Sequence, residues 1–277
     1  MILYKYLPPT RVEVLKKRLI RFTQPTDFND PFEFRPAMTS LLSNKHIDTF
    51  MAEDFDRMVD EELIKYGALV PAVAKEIFPE FIAAQKARFP EIIRSMEPAA
   101  LAAIQPMISG VLNRNVGLLC LSEIKDSLLM WGHYAHNHTG FVVGFDSEDP
   151  FFDTRRSDKD EFGYLRKVTY SPTRPNVTLS NSGSLEWFET KSQDWAYEKE
   201  WRLLRVLREA ASVIDRQPFP IHLFEFPSSA VREIILGMRS AEETREALRS
   251  ISAEFPHTKL FQARDHPHHY SLLIEAA

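Results

Sequence analysis

Two glutamates separated by one residue are the pair of side chains in the sequence best suited to acid–base chemistry. Glu198 and Glu200 lie in the segment DWAYEKEWR, at the start of a predicted strand. Side chains two residues apart on a strand project to the same face, so the carboxylates would repel each other and the pKa of one would rise. A raised carboxyl pKa suits acid–base or hydrogen-bonding chemistry. Alternatively, the strand is exposed and the glutamates pair with basic neighbours (Lys191, Lys199 or Arg202). The flanking aromatic residues disfavour this exposed arrangement.

A second acidic cluster lies in the loop TDFNDPFE, residues 26–33. Asn29 and Asp30 are typical of an Asx turn, in which the side chain binds nearby backbone, and Pro31 favours the same turn. A turn does not account for Glu33. The loop is therefore interpreted either as a structural turn or as one wall of a pocket.

A third segment combines a strand that ends in serine with an aromatic helix. The apolar run 116–122 ends at Ser122, and a short helix over 127–136 places Trp131 and Tyr134 at positions i and i+3, on one face. Aromatic residues at this spacing usually belong to a core. The polar residues that accompany them (His133, Asn137 and His138) favour the edge of a pocket.

Several common kinds of site are excluded by residue counts and spacing. The nine glycines form neither the dinucleotide-binding fingerprint nor a phosphate-binding loop. The single cysteine, Cys120, cannot build a four-cysteine metal centre, and its apolar strand is typical of a small hydrophobic residue rather than a nucleophile. The nine histidines form no zinc-binding motif, so no metal is predicted.

The composition is that of a globular protein with little charge bias. Of 277 residues, 34 are Lys or Arg and 39 are Asp or Glu, so the net charge is −5 and does not indicate a nucleic-acid partner. The N-terminal residues lack the apolar core of a signal peptide, and no apolar run approaches the length of a bilayer crossing. We therefore expect a cytoplasmic protein without a membrane partner.

The elements that must position these residues alternate in blocks along the chain. Strands in two blocks with helices between them predict an α+β fold with a mixed, mainly antiparallel sheet, in one domain over residues 1–277. Between the strands, residues 43–115 are predicted to form a helical insertion. It contains three predicted helices, over 46–66, 71–89 and 98–113, the last two opened by a proline near the first turn. A further helix is predicted over 185–195.

The same segments resemble a bacterial family catalogued as domain of unknown function 2971. The resemblance is carried by these motifs: Tyr4-Lys5-Tyr6, Phe28-Asn29-Asp30-Pro31-Phe32-Glu33, Leu119 to Glu123, Met130-Trp131-x-His133-Tyr134-Ala135, His138-x-Gly140 through Asp146, Trp195-x-Tyr197-Glu198-x-Glu200-Trp201-Arg202, and Ile234 to Gly237. It covers nearly the whole chain outside the helical insertion. The family name implies no settled activity.

The order of these motifs is also distantly similar to that of the ADP-ribosyltransferases. That resemblance implies NAD as a substrate, with Glu200 as the carboxylate on the ribose and Glu198 orienting or activating the acceptor. It places Ser122 at the second motif position and Tyr134 against the nicotinamide. At the first position, where the superfamily has His or Arg, this chain has Lys5 or Tyr6.

These observations predict an ADP-ribosyltransferase-like enzyme that acts on NAD or a related nucleotide. Glu198 and Glu200 are the predicted catalytic residues. The predicted substrate-binding residues are Lys5, Tyr6, Asn29, Asp30, Glu33, Ser122, Trp131, Tyr134, His138, Trp195 and Arg202. Two alternatives stay open: a small-molecule-sensing module of a defence or stress system that does not turn its ligand over, and a metal-dependent nuclease or phosphodiesterase. The second would use Asp30, Glu33, Glu198 and Glu200 as oxygen ligands.

Overall fold

A computed structural model of the chain describes residues 1–35, 37–66, 72–178 and 185–277. Internal contacts divide the chain into two compact units. The first contains Met1–Arg35, Gly110–Arg174 and Phe188–Ala277, and the second contains Pro36–Ser109 and Pro175–Trp187. Whether residues 43–115 are an insertion in a single domain stays a prediction.

The first unit is built on an eight-stranded sheet. In spatial order its strands are β13 (Leu272–Ala276), β12 (Lys259–Asp265), β11 (Val231–Leu236), β4 (Phe141–Asp146), β1 (Ile2–Leu7), β3 (Val116–Ser122), β8 (Glu200–Val206) and β5 (Leu165–Lys167). All neighbours are antiparallel except β11 and β12, which are parallel. With its helices, this mixed and mainly antiparallel sheet confirms the predicted α+β class.

Two smaller sheets and several short helices complete the first unit's strands. One sheet contains β2 (Leu19–Phe22), β10 (Ile221–Glu225) and β9 (Ser212–Ile214), and the other pairs β6 (Thr169–Ser171) with β7 (Thr190–Ser192) in parallel. The short helices are α1 (Glu13–Lys17), α5 (Leu128–Tyr134) and α7 (Glu242–Ser252), and α6 (Glu186–Glu189) begins in the second unit and ends in the first.

Successive side chains of the central strand β1 pack on opposite faces of the large sheet. Leu3 and Leu7 join a core that includes Phe141 and Leu203, whereas Tyr4 and Tyr6 join a second core. The second core contains Met130 and Trp131 of α5. Because successive side chains of a strand point to opposite faces, a single strand reaches both cores. The predicted aromatic helix is thereby packed against β1.

The second unit is helical, and its helices differ from the prediction. It contains α2 (Asn44–Thr49), a π-helical turn (Phe50–Asp54), α3 (Phe55–Tyr66) and most of α4 (Ala72–Asn115). The stretches predicted over 71–89 and 98–113 are helical from Ala72 onward, but the predicted break between them is wrong, because α4 continues through Pro79, Pro90, Pro98 and Pro106. Each proline removes one backbone hydrogen bond without ending a helix this long. The predicted start at Pro71 lies outside the described residues.

The helix predicted over 185–195 is interrupted by a strand. Glu186–Glu189 (α6) are helical and a 3₁₀ turn begins at Gln193, but Thr190–Ser192 form β7 between them. Parallel pairing with β6 holds β7 extended, and a tertiary contact of this kind outweighs local propensity. Within the described ranges, no helix has the long apolar run needed to cross a bilayer.

Candidate functional site

The large sheet opens between β1 and β3. These neighbouring strands pair at one position, Tyr4 opposite Ser122, although β1 pairs with β4 along its whole length. Where the next pairs would follow, the ammonium group of Lys5 donates to the carbonyl oxygen of Cys120 at 3.0 Å, so a side chain replaces the backbone ladder. Separation of two strands leaves space between them.

A cavity of about 100 Å³ occupies this opening. Its walls include three consecutive residues of each strand, Tyr4-Lys5-Tyr6 and Cys120-Leu121-Ser122. Consecutive residues of an unbroken strand face opposite sides of a sheet, so their presence around one cavity places it between the strands. The remaining walls are formed by Phe28, Asn29, Met130, Tyr134, Lys191, Glu198 and Glu200.

Lys191 joins three carboxylates at one side of this cavity. Its Nζ lies 2.5 Å from Oε2 of Glu198, 2.8 Å from Oε2 of Glu200 and 3.4 Å from Oε1 of Glu33. The Lys191 side chain is 5% exposed. Burial alone would lower its pKa, but the carboxylates outweigh burial and raise it. Lys191 is therefore a permanently charged centre of the site.

Arg202 closes the network on the side away from the cavity. Its Nε donates to Oε1 of Glu200 at 2.8 Å, its second guanidinium nitrogen donates to Glu33, and a third bond reaches the carbonyl oxygen of Phe188 at 2.7 Å. The guanidinium carbon also lies 4.7 Å from the ring centre of Phe34. Arg202 is fully buried, so it holds the loop that carries Glu33 against β8. We call the five side chains the Lys191–Arg202 network: Glu33, Lys191, Glu198, Glu200 and Arg202.

A left-handed residue brings the two glutamates together. Glu198 ends a 3₁₀ turn (Gln193–Glu198) and Glu200 begins β8, so they do not share a strand as predicted. Lys199 between them has φ 43° and ψ 57°, and this conformation redirects the chain toward Lys191. The hydroxyl of Ser122 donates to the carbonyl oxygen of Glu198 at 2.6 Å and fixes the turn against β3. The 3₁₀ turn with Glu198, strand β8 with Glu200 and the loop with Glu33 thus converge on Lys191.

The predicted electrostatics of the glutamate pair are wrong in one respect. Burial would raise the pKa of Glu200, but Arg202 and Lys191 outweigh it and hold that pKa well below its usual range. The raised pKa belongs to Glu33, chiefly because of burial, and Arg202 and Lys191 only partly offset it. Two buried cations relieve the repulsion that the spacing of Glu198 and Glu200 suggested. The two glutamates therefore pair with basic residues, as in the alternative interpretation, but they do so in the protein interior rather than on an exposed strand.

Tyr134 connects the cavity to the network. Its hydroxyl donates to Oε1 of Glu198 at 2.6 Å, and Asn29 is a second hydrogen-bonding neighbour. Burial and the nearby charge of Glu198 raise the pKa of Tyr134, so its hydroxyl keeps its proton. Tyr134 presents a ring to the cavity and a donor to the carboxylate.

The predicted site residues divide into three groups. Those that line the cavity are Lys5, Tyr6, Asn29, Ser122, Tyr134, Glu198 and Glu200, and those that lie behind it in the network are Glu33 and Arg202. Asp30 forms the predicted Asx turn, accepting from the backbone of Phe32 at 2.8 Å. Outside the cavity wall, Trp131 is a core residue, His138 stacks on it with ring centres 6.1 Å apart, and Trp195 lies 5.1 Å from Lys191 Nζ.

Several residues of the site were not predicted. Lys191 is the central one, and the sequence placed it on a helix rather than on β7. Tyr4, Phe28 and Met130 also line the cavity. The Tyr4-Lys5-Tyr6 motif held a signal for Tyr4, because consecutive aromatic and basic residues are unusual in a buried central strand.

The site does not favour metal or thiolate chemistry. In the described part of the chain, no group of three or more His, Cys, Asp or Glu side chains is arranged to hold a metal ion. Lys191 Nζ already lies among the carboxylates that a metal would need. Burial raises the pKa of Cys120 well above its usual value, so its thiol stays protonated.

Comparison with known proteins gives one match. Residues 130–203 match the family model described as protein of unknown function (DUF2971), which confirms the family resemblance over this segment. The segment includes Tyr134, Lys191, Glu198, Glu200 and Arg202, so most of the Lys191–Arg202 network lies in the matched part. No curated protein and no solved structure matches the chain.

Proposed function

We propose that the opening between β1 and β3 binds one end of NAD or a related nucleotide, and that the site transfers the ADP-ribosyl group. The observation that carries this proposal is the position of Glu198, a buried carboxylate that lines a small cavity beside an aromatic hydroxyl. Fixed carboxylates of this kind stabilise the oxocarbenium-like ribose that forms when a glycosidic bond breaks.

The size of the cavity limits what enters it. Pockets for drug-sized ligands enclose about 300–1,000 Å³, whereas an apolar cavity of about 150 Å³ holds benzene. At about 100 Å³, the opening is smaller than that benzene cavity, so it admits only part of a small ring, and the rest of a nucleotide must lie outside it. The ring walls of Tyr4, Tyr6 and Tyr134 suit the nicotinamide end of NAD.

In this reaction Glu198 has the role that the sequence assigned to Glu200. Both oxygens of Glu200 bind cations, whereas one oxygen of Glu198 binds only the hydroxyl of Tyr134. A ribose hydroxyl can replace that donor. The bond between nicotinamide and the ribose carbon breaks, nicotinamide leaves with the electron pair, and an acceptor oxygen or nitrogen attacks the ribose carbon and loses its proton to water. Glu200, which Arg202 holds, keeps Lys191 in place.

The test combines binding with turnover. Nicotinamide, ADP-ribose and NAD are each added in a thermal-shift assay, and free nicotinamide released from NAD is then measured. A ligand at 100 times its dissociation constant stabilises a protein by about 2.7 kcal/mol. Glu198→Gln is expected to lower nicotinamide release about 100-fold or more, because one stabilising group at a developing charge is worth about that much.

The matched control is Glu246→Gln, which makes the same change at an exposed position of α7. It is expected to release nicotinamide at the wild-type rate, and circular dichroism verifies that both variants are folded. Wild-type turnover in Glu198→Gln, or no thermal shift with any of the three compounds, contradicts the proposal.

A second function, ligand sensing without turnover, is favoured by the pairing of the network itself. Every carboxylate oxygen of Glu198 and Glu200 has a hydrogen-bonding partner, which suits a rigid binding site. Stabilisation by NAD or ADP-ribose with no nicotinamide released after prolonged incubation supports sensing over transfer.

A further inference from the structure

The Lys191–Arg202 network contains more acidic than basic groups. Glu33, Glu198 and Glu200 contribute three carboxyl groups, whereas Lys191 and Arg202 contribute two positive charges. All five side chains are at most 5% exposed. With every group ionised, the network carries one unbalanced negative charge away from water, which is costly in a protein interior.

One oxygen of Glu33 identifies this residue as the carboxyl group that lacks a balancing positive charge. Its Oε1 accepts from Arg202 and lies 3.4 Å from Lys191 Nζ, but its Oε2 is buried and has no hydrogen-bond partner among the described residues. Each oxygen of Glu198 and Glu200 has a donor. A buried carboxylate oxygen without a donor is much less stable than a neutral carboxyl oxygen in the same place.

The described surroundings of Glu33 do not supply the missing charge. Besides Lys191 of β7 and Arg202 of β8, the described groups that act on it are Asp30 of its own loop, Glu200 of β8 and Cys120 of β3, all of which are acidic or become negative on ionisation. Glu198 of the 3₁₀ turn shares Lys191 with Glu33 and is acidic as well. Burial is the largest influence on the pKa of Glu33 and raises it.

We propose that Glu33 is a neutral carboxylic acid in the folded protein at neutral pH, and that its proton completes the charge balance of the Lys191–Arg202 network. The positive charges of Lys191 and Arg202 then match the negative charges of Glu198 and Glu200. Glu33 is thus a positioning residue. Because it is neutral, it does not compete with Glu198 and Glu200 for the positive charge of Lys191. Its effect on a catalytic Glu198 rests on the proposed function, but the proton itself does not.

The first test is the pH dependence of stability, measured without any ligand. The pKa of Glu33 is higher in the folded than in the unfolded chain, so its contribution is complete below the usual value of 4.5 and is lost as the pH rises through the folded pKa. In that window the folding constant of the wild type falls about tenfold per pH unit relative to Glu33→Gln, whose amide has no proton to lose.

Urea unfolding from about pH 5 to about pH 8 measures this difference. The control Glu246→Gln is expected to follow the wild type at every pH. A wild-type stability that stays constant or rises with pH relative to Glu33→Gln overturns the proposal, because an ionised Glu33 behaves in that way.

The second test does not require a variant to fold. Infrared spectroscopy of the unsubstituted protein at neutral pH is expected to contain the carbonyl band of a buried carboxylic acid, which shifts when glutamate is labelled with ¹³C. The band is lost in Glu33→Gln and kept in Glu246→Gln. If Glu33→Gln does not fold, Glu33→Asp moves the band instead. Absence of the band from the wild type overturns the proposal whether or not NAD is a substrate.

Discussion

Lys191→Met tests the charge network more directly than any other substitution. Methionine keeps most of the length of the lysine stem but removes the ammonium group that lies within 3.4 Å of three carboxyl groups. The gross attraction among these charges is largely offset by desolvation. The cost of breaking a buried ion pair, about 3–5 kcal/mol, is therefore the appropriate magnitude. For a chain of this size, it corresponds to a melting temperature about 6–20 °C lower, at about 2–4 °C per kcal/mol.

The assay is urea unfolding near neutral pH, with Lys199→Met as the matched control. Lys199 is exposed and lies between Glu198 and Glu200, so the control makes the same chemical change one residue from the network. Its cost is expected to be within about 0.5 kcal/mol of zero. Equal costs for the two variants would refute the reasoning, because Lys191 would then not be buried among carboxylates.

The double variant Lys191→Met/Glu198→Gln sharpens this prediction. Removing Lys191 leaves an uncompensated negative charge, and replacing Glu198 by its neutral amide removes one. The two substitutions are therefore expected to be less destabilising together than their summed single costs, by about 0.5–3 kcal/mol for residues in contact. Simple additivity contradicts a shared network.

Two further substitutions test the helix behind the cavity. Trp131→Ala empties a fully buried position whose indole N–H donates to the carbonyl oxygen of Lys125 at 2.9 Å, so unfolding by urea should become about 3–5 kcal/mol easier; a cost below about 1 kcal/mol contradicts this packing. Burial and then Arg239 lower the pKa of His138 below its usual 6.5, so stability falls as the pH drops below 6.5 because the unfolded chain takes up the proton first. Because burial also lowers the pKa of His222, His138→Gln should lessen rather than abolish that loss in urea titrations at about pH 7.5 and about pH 5.5, and an equal loss in both proteins contradicts the role of His138.

The chemical groups of the site could be predicted from sequence better than their arrangement. Glu198 and Glu200 were identified from their two-residue spacing, and Tyr134 from its i, i+3 spacing with Trp131 among polar neighbours. Residue type and local spacing alone carry these signals. The position of Lys191 depends on parallel pairing between β6 and β7, a contact between distant segments that local periodicity does not encode. The left-handed Lys199 was equally invisible, since lysine rarely adopts that conformation and nothing in its neighbours requires it.

The opening between β1 and β3 belongs to the same class of feature. Each strand has the pattern of an ordinary buried strand, and β3 was predicted at its observed bounds. The strands separate beyond the Tyr4–Ser122 pair because of how they meet in the sheet, not because of the composition of either strand. Prediction of the strands was therefore sufficient for the fold class and insufficient for the cavity.

Charge balance also limits the chemistry of the ligand. If Glu33 carries its proton, Lys191 and Arg202 cancel Glu198 and Glu200, and Lys5 remains as the uncancelled positive charge on the cavity wall. Among the described residues it donates one hydrogen bond, to a backbone carbonyl, so its ammonium group has donors left for a ligand. A matching ligand combines a small ring inside the cavity with a negative group near Lys5. A nucleotide has both, whereas free nicotinamide has only the ring, so ADP-ribose or NAD should bind more tightly than nicotinamide alone.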